Sequence, residues 1–227
     1  MVRHFSNQFE EDLKRLKEML LLMGGTVESM LTEAQEALVN DDKDLARKII
    51  RRDTEVDALE KRVDQAAIEI LAIRQPTATD LRFVTSAFKI CTDLERMGDI
   101  VVNVCERITE LSSIQTSDQL LRMIELTKGM IALSLDAFVN QSVEIAAEVL
   151  DSDRDVDQLL RKVYDELIIS MKKDPETIQI GIKLFFIAKY LERIADHATN
   201  IAEQVIFTVK GLDIRHSHAP GPTPTTR

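Results

Sequence analysis

The sequence predicts an all-α protein made of two tandem, pseudo-repeated three-helix bundles with six long helices. Three observations lead there. Seven glycines and five prolines stand among 227 residues, about 5% together and under half the share usual in globular chains. Strand-rich proteins need turn residues every ten positions or so, and this chain lacks them. Three of the prolines (Pro220, Pro222, Pro224) also fall in the last eight residues, leaving the body poorer still in breakers. Apolar residues recur at spacings of three and four along six long stretches, and the chain matches itself at a shift near 100.

The first helical stretch covers about 7–39 and meets Asn40-Asp41-Asp42. The second is read as one helix over about 43–72, interrupted at Arg74-Gln75-Pro76-Thr77, where Pro76 pushes its predecessor out of the helical region. Thr77 with Asp80 reads as a capping box opening the third, which ends near Leu111. The fourth spans about 117–139, the fifth 142–171 and the sixth 176–209. Asp174-Pro175 offers the sixth an N-cap and a proline at its first position, and Gly211 closes it. Helices of about 30 residues suit extended bundles.

At a shift of 100, Ala37-Leu38-Val39-Asn40 falls on Ala137-Phe138-Val139-Asn140, and Asp53, Asp57 and Val63 fall on Asp153, Asp157 and Val163. Later the offset becomes 97, and Leu94-Glu95-Arg96-Met97-Gly98-Asp99 meets Leu191-Glu192-Arg193-Ile194-Ala195-Asp196. Duplication explains this better than chance. The expected division is 1–113 and 114–212 for the two units, with 213–227 a disordered tail.

Charge and cysteine usage exclude other classes. Twenty-nine basic against 39 acidic residues, a net charge of −10, disfavour nucleic acid. No apolar run is long enough to span a bilayer, and the opening residues carry no secretory core. Cys91 and Cys105 lie on one helix about 21 Å apart, too far to bridge. Reduced thiols point to the cytoplasm.

Chemistry concentrates on one stripe. At about 100° per residue, Glu95, Asp99, Asn103 and Glu106 lie within about 80° of arc. Glu192, Asp196, Asn200 and Glu203 repeat the pattern. Folding the second helix back on the third brings Asp53 and Asp57 to the height of Glu95 and Asp99; the later hairpin does the same for Asp153 and Asp157 with Glu192 and Asp196. Each cluster offers carboxylates plus an amide oxygen from Asn103 or Asn200, and no Cys or His. Such oxygen sets suit Mg²⁺, Mn²⁺, Ca²⁺ or iron. A single acidic pair on a helix is ordinarily a solvated face or an ion pair such as Arg96 with Asp99. Coincident heights in both halves weigh against that reading, though a duplicated unit would inherit a salt-bridge network just as readily.

Other features carry less. His197 lies about 140° from Glu192 and faces Ile100 in the alignment of halves, so it reads as a surface or core residue. His216 and His218 suit adventitious metal binding. Gly24-Gly25 inside the first helix costs about 1 kcal/mol per glycine, justified by close helix approach or a kink. Met19, Met23 and Met30 read as core filler.

These residues resemble the PhoU family of regulatory proteins associated with phosphate transport. The likeness runs from Phe9 to about Val209 through Met23-Gly24-Gly25, Asp53-x-x-x-Asp57, Arg74-Gln75-Pro76 with Asp80-Leu81-Arg82, and the paired Leu-Glu-Arg-[Met/Ile]-[Gly/Ala]-Asp segments. The resemblance implies two pseudo-symmetric three-helix bundles and, as in some members, iron or zinc clusters on Glu95/Asp99 and Glu192/Asp196. Asp53, Asp57, Asp153 and Asp157 are added on geometry, and manganese or magnesium are further candidates. Ile100 stands where an Asp-His continuation is common, kept only as Asp196-His197, so the two sites are not expected to be equal.

The family further implies a negative regulator of the phosphate-starvation response, not an enzyme. It would link the phosphate ABC transporter, through its ATPase subunit, to a sensor histidine kinase. A homodimer is implied, with peripheral membrane association only through partners. A carboxylate-bridged di-iron enzyme would carry His three positions after each glutamate, where Gly98 and Ala195 stand. A purely structural helical scaffold is the remaining alternative.

Overall fold

The computed structural model describes residues 2–111 and 116–212. It is all-α, with α1 (Val2–Asn40), α2 (Lys43–Arg51), α3 (Asp53–Arg74), α4 (Ala78–Glu110), α5 (Asp118–Asn140), α6 (Val143–Lys173) and α7 (Ile178–Lys210). A 3₁₀ turn, Pro175–Thr177, leads into α7. In the first bundle α1 packs on α3 and α4, with α2 tucked between α1 and α4; in the second, α5, α6 and α7 pack on one another. The bundles join chiefly along α4 and α7, with α1 meeting α5. The expected tail, with His216 and His218, and residues 112–115 after the third stretch lie outside the described residues.

One element differs from expectation. The second stretch is not one helix: it breaks at Arg52, which separates α2 from α3. Arg52 carries no helix-breaking signal of its own, and at this break its side chain reaches a distant helix. Its guanidinium is drawn to Glu33 of α1 and to Glu55. The corresponding Ser152 bonds only the Glu148 carbonyl of its own helix, and α6 runs through unbroken.

The capping-box reading at Thr77 is also corrected. No side-chain cap forms there; the Thr77 carbonyl accepts from the Asp80 N–H at 3.1 Å instead. Its entry is a tight turn with Gln75 and Ala78 at φ near +49° and +47°. Asp174 does cap, accepting from the Glu176 N–H at 3.0 Å, but it caps the 3₁₀ turn, so α7 starts at Ile178. Gly211 closes α7 in the left-handed region, φ 68°.

The core is aliphatic, and Met19, Met23 and Met30 lie in it, as do both cysteines. Burial, helped by nearby acids, pushes both thiols up to about 12, so neither is nucleophilic at neutral pH. Gly24 marks a close approach: a Cβ there would sit 2.3 Å from Leu135 Cδ1 of α5, whereas one at Gly25 would meet nothing within 4 Å.

α4 and α7 run antiparallel, and each supplies a cation to the other's C-terminal carbonyls. Arg82 Nε donates to the Thr208 carbonyl at 3.3 Å, and Lys183 Nζ to the Glu110 carbonyl at 2.6 Å. Positive charge at a helix C-terminus offsets the partial negative charge there. Between these ends, the buried hydroxyls of Ser86 and Thr208 are hydrogen-bonded at 2.8 Å.

Candidate metal centres

The first acidic cluster is built by α3 and α4. Buried Val56, Leu59 and Val63 turn α3 toward the core, and Leu94, Met97 and Val101 do so for α4. Gly98 lets the helices close, since a Cβ there would lie 3.3 Å from Val56. This packing leaves Asp53, Asp57, Glu95 and Asp99 beside the buried seam. Their mutual field is visible in their protonation. Desolvation raises Asp53 above the usual carboxylate range, reinforced by Asp57 and Asp99. Glu95 is raised by desolvation and by Asp99, with Arg96 opposing and Glu60 and Asp57 adding. Arg96 lies 3.5 Å from Glu95 and 3.4 Å from Asp99, the latter being the ion pair weighed from the sequence.

α6 and α7 build the second cluster by the same logic. Asp153 is raised by desolvation, then by Asp157 and Glu192. Asp196 shows the largest effect. Although Asp196 is an exposed residue, desolvation with Glu192 and Asp153 pushes it up to about 6, against smaller opposing fields from His197 and Lys189. Lys189 Nζ lies 2.7 Å from Glu192 Oε1.

The structure thus brings Asp53, Asp57, Glu95 and Asp99 into one electrostatic cluster, and Asp153, Asp157, Glu192 and Asp196 into another. The amide nitrogens of the two asparagines are hydrogen-bonded. Asn103 Nδ2 donates to the Asp99 carbonyl at 2.8 Å. Asn200 Nδ2 donates to Asp93 across the α4–α7 seam at 3.2 Å, facing a polar cleft that Lys89, Thr92 and Gln204 also line. His197 takes the same partner, with Nδ1 2.8 Å from Asp93 Oδ1. It is therefore a half-buried seam residue pairing the two halves, neither a free surface group nor an apolar core one.

Glu60 was missed from the sequence. It lies seven positions after Asp53, at nearly the same helical angle, so the count that found Asp53 and Asp57 would have found it. Its counterpart is Leu160, and Lys189 corresponds to Thr92. The clusters are unequal: the first holds an extra acid beside a resident arginine, the second a resident lysine.

Among the described residues, no group of three or more His, Cys, Asp and Glu side chains stands ready-made to hold a metal ion. The donor chemistry nevertheless fits a hard cation: oxygen-only ligands, crowded like charges and carboxyls that resist ionisation. A cation there would relieve the repulsion that raises them. Seating it requires the side chains to reorient and Arg96 or Lys189 to give way. No described helix is long and apolar enough to cross a membrane.

Comparisons with known proteins agree with this architecture. The family model described as the PhoU domain matches residues 20–108 and 120–205. The phosphate-specific transport system accessory protein PhoU of Serratia marcescens is 36% identical over 217 residues, covering 94% of this chain and 89% of that protein. The crystal structure of PhoU from Pseudomonas aeruginosa superposes with a TM-score of 0.84 at 34% identity, covering 90% of this chain and all of that one. That of the phosphate transport system regulatory protein PhoU from Streptococcus pneumoniae gives 0.85 at 30%, covering 90% and 98%. With both halves matched by the same family model and the helical architecture shared over 90% of the chain, this chain belongs to the PhoU family.

Proposed function

We propose that this protein is a negative regulator of the phosphate-starvation response. It acts as a cytoplasmic, non-enzymatic adaptor between the phosphate transporter, through its ATPase subunit, and a sensor histidine kinase. The observation that carries this reading is similarity over 90% or more of the chain to proteins described as accessory to, or regulatory of, phosphate transport. The site chemistry supports it: both cysteines are buried, with their thiols pushed up to about 12. Buried Gly98 and Ala195 occupy the positions where a carboxylate-bridged di-iron enzyme would present histidine.

In this reading Glu95, Asp99, Asp53 and Asp57 hold one cation site, and Glu192, Asp196, Asp153 and Asp157 a second. The ions would neutralise the acidic face and set the charge it presents to partners. Deleting the gene tests the regulatory role: constitutive phosphatase expression in phosphate-rich medium is expected, and unchanged expression would overturn it. Elemental analysis of protein purified without chelator tests the sites. Bound metal is expected, reduced in the Glu95→Ala, Asp99→Ala variant; its absence from the unaltered protein removes the metal reading alone.

A further inference from the structure

The two bundles are not equally complete. At the shift of 100 that aligns them, Asp118, the first residue of α5, corresponds to Glu18 of α1. Among the described residues, the second bundle therefore has no helical counterpart to residues 2–17 of α1. In the first bundle this stretch covers the end of the α3–α4 hairpin. Phe9, Leu13 and Leu16 pack on the core, and Asp12 forms an ion pair with Arg74 at 2.8 Å. Under that cover α3 keeps burying residues, Ala67 and Ile70, to its last turn.

In the second bundle α6 fully buries no residue after Val163, and Leu167 is only partly covered. Where the missing helix would lie there is an open groove of about 470 Å³. Leu167, Met171, Ile180 and Leu184 line it, with Glu166 and Asp174 acidic among them. Position 166 corresponds to Ala66 and position 170, a serine, to Ile70, so the uncovered groove is more polar than its covered twin. Such a surface tolerates water and accepts a partner reversibly.

We propose that this groove receives one amphipathic helix from a partner protein, completing the second bundle as residues 2–17 complete the first. The repeat specifies the helix's chemistry. It carries apolar residues at the spacing of Phe9, Leu13 and Leu16. Where α1 has Asp12 facing Arg74, the partner has lysine or arginine, because the charged residues lining this groove, Glu166 and Asp174, are both acidic. The groove follows from the internal repeat alone, so its test is independent of the regulatory role proposed above.

The probe is a fluorescent peptide of residues 5–20 carrying Asp12→Lys, bound to the full-length protein and followed by anisotropy. A side-chain lactam between Lys14 and Glu18, an exposed pair one turn apart, holds it helical. Saturable binding is expected, weakened at least ~10-fold by Ser170→Arg, which blocks the groove at an exposed position. Asp174→Arg is expected to weaken this peptide and to strengthen binding of the same peptide with Asp12 retained, a charge-swap rescue that a misfolded variant would not show. Circular dichroism melting confirms that both variants fold. No saturable binding at millimolar peptide, or binding indifferent to both variants, overturns the proposal. Two further outcomes also overturn it by naming another occupant. Tighter binding on removal of residues 213–227 would assign the groove to the chain's own tail. A halved mass in sedimentation on Ser170→Arg would assign it to a second copy.

Discussion

His197 of α7 and Asp93 of α4 meet across the seam between the two bundles, with Nδ1 2.8 Å from Oδ1 and both side chains largely shielded from water. The same Asp93 oxygen also accepts from Asn200. One carboxylate of the first bundle is thus held by two residues of the second. Removing the imidazole leaves Asp93 under-satisfied, which costs about 1–2 kcal/mol. His197→Ala is expected to lower the denaturation midpoint accordingly. Removing both residues is expected to cost less than the sum of the single changes, and additive costs in a double-mutant cycle would show the pair to be energetically idle.

The seam's ends are fastened by Arg82 on the Thr208 carbonyl and Lys183 on the Glu110 carbonyl. Arg82→Met and Lys183→Met are each expected to cost about 0.5–1 kcal/mol. The contacts sit at opposite ends of helices 33 residues long, so the two costs should add in urea unfolding.

Adjacent glycines in α1 should respond oppositely. Gly25→Ala adds a methyl into open space and is expected to stabilise by about 0.5–1 kcal/mol through helix propensity. Gly24→Ala drives its Cβ against Leu135, consuming that gain, and Gly24→Leu is expected to destabilise by about 1–3 kcal/mol. Thermal melts of the three variants at one pH decide it.

Asp196 makes stability fall with rising pH. Its folded pKa of about 6 lies above the ordinary 3.8, so between those values the folded chain holds more proton than the unfolded one. The destabilising contribution is absent below about pH 4, grows through this window and is complete above about pH 6. Asp196→Asn is expected to raise Tm at pH 7.5 by about 1–2 °C, after allowance for water screening, and to have no effect at pH 4. A rise of equal size at both pH values would refute the electrostatic cause.

A cation that occupies the second cluster should mimic that substitution. Manganese is expected to raise the Tm of the unaltered protein at pH 7.5 more than that of Asp196→Asn, and chelator to reverse the rise. Equal rises in both proteins would place the ion elsewhere.

Most of the fold was legible because helix periodicity and turn punctuation are local properties of the chain. The scarcity of glycine and proline, the breaks near residues 41, 75, 141 and 174, and the repeat of Glu95/Asp99 in Glu192/Asp196 need no third dimension. The height of Asp53 and Asp57 beside them followed from folding one hairpin. What the chain alone did not reveal depends on contacts between distant elements. At the break between α2 and α3, Arg52 meets Glu33, nineteen residues away, a contact that no local signal shows. His197 looked unattached until α7 lay along α4 and brought it to Asp93. Asn200 shares the stripe's angle but turns to the seam, where a carboxylate is nearer. Local propensity determined which segments are helices; the antiparallel packing of α4 on α7 decided which side chains meet. Sequence differences such as Glu60 against Leu160 and Thr92 against Lys189 make the two copies unequal, and the packing decides which charges those differences meet.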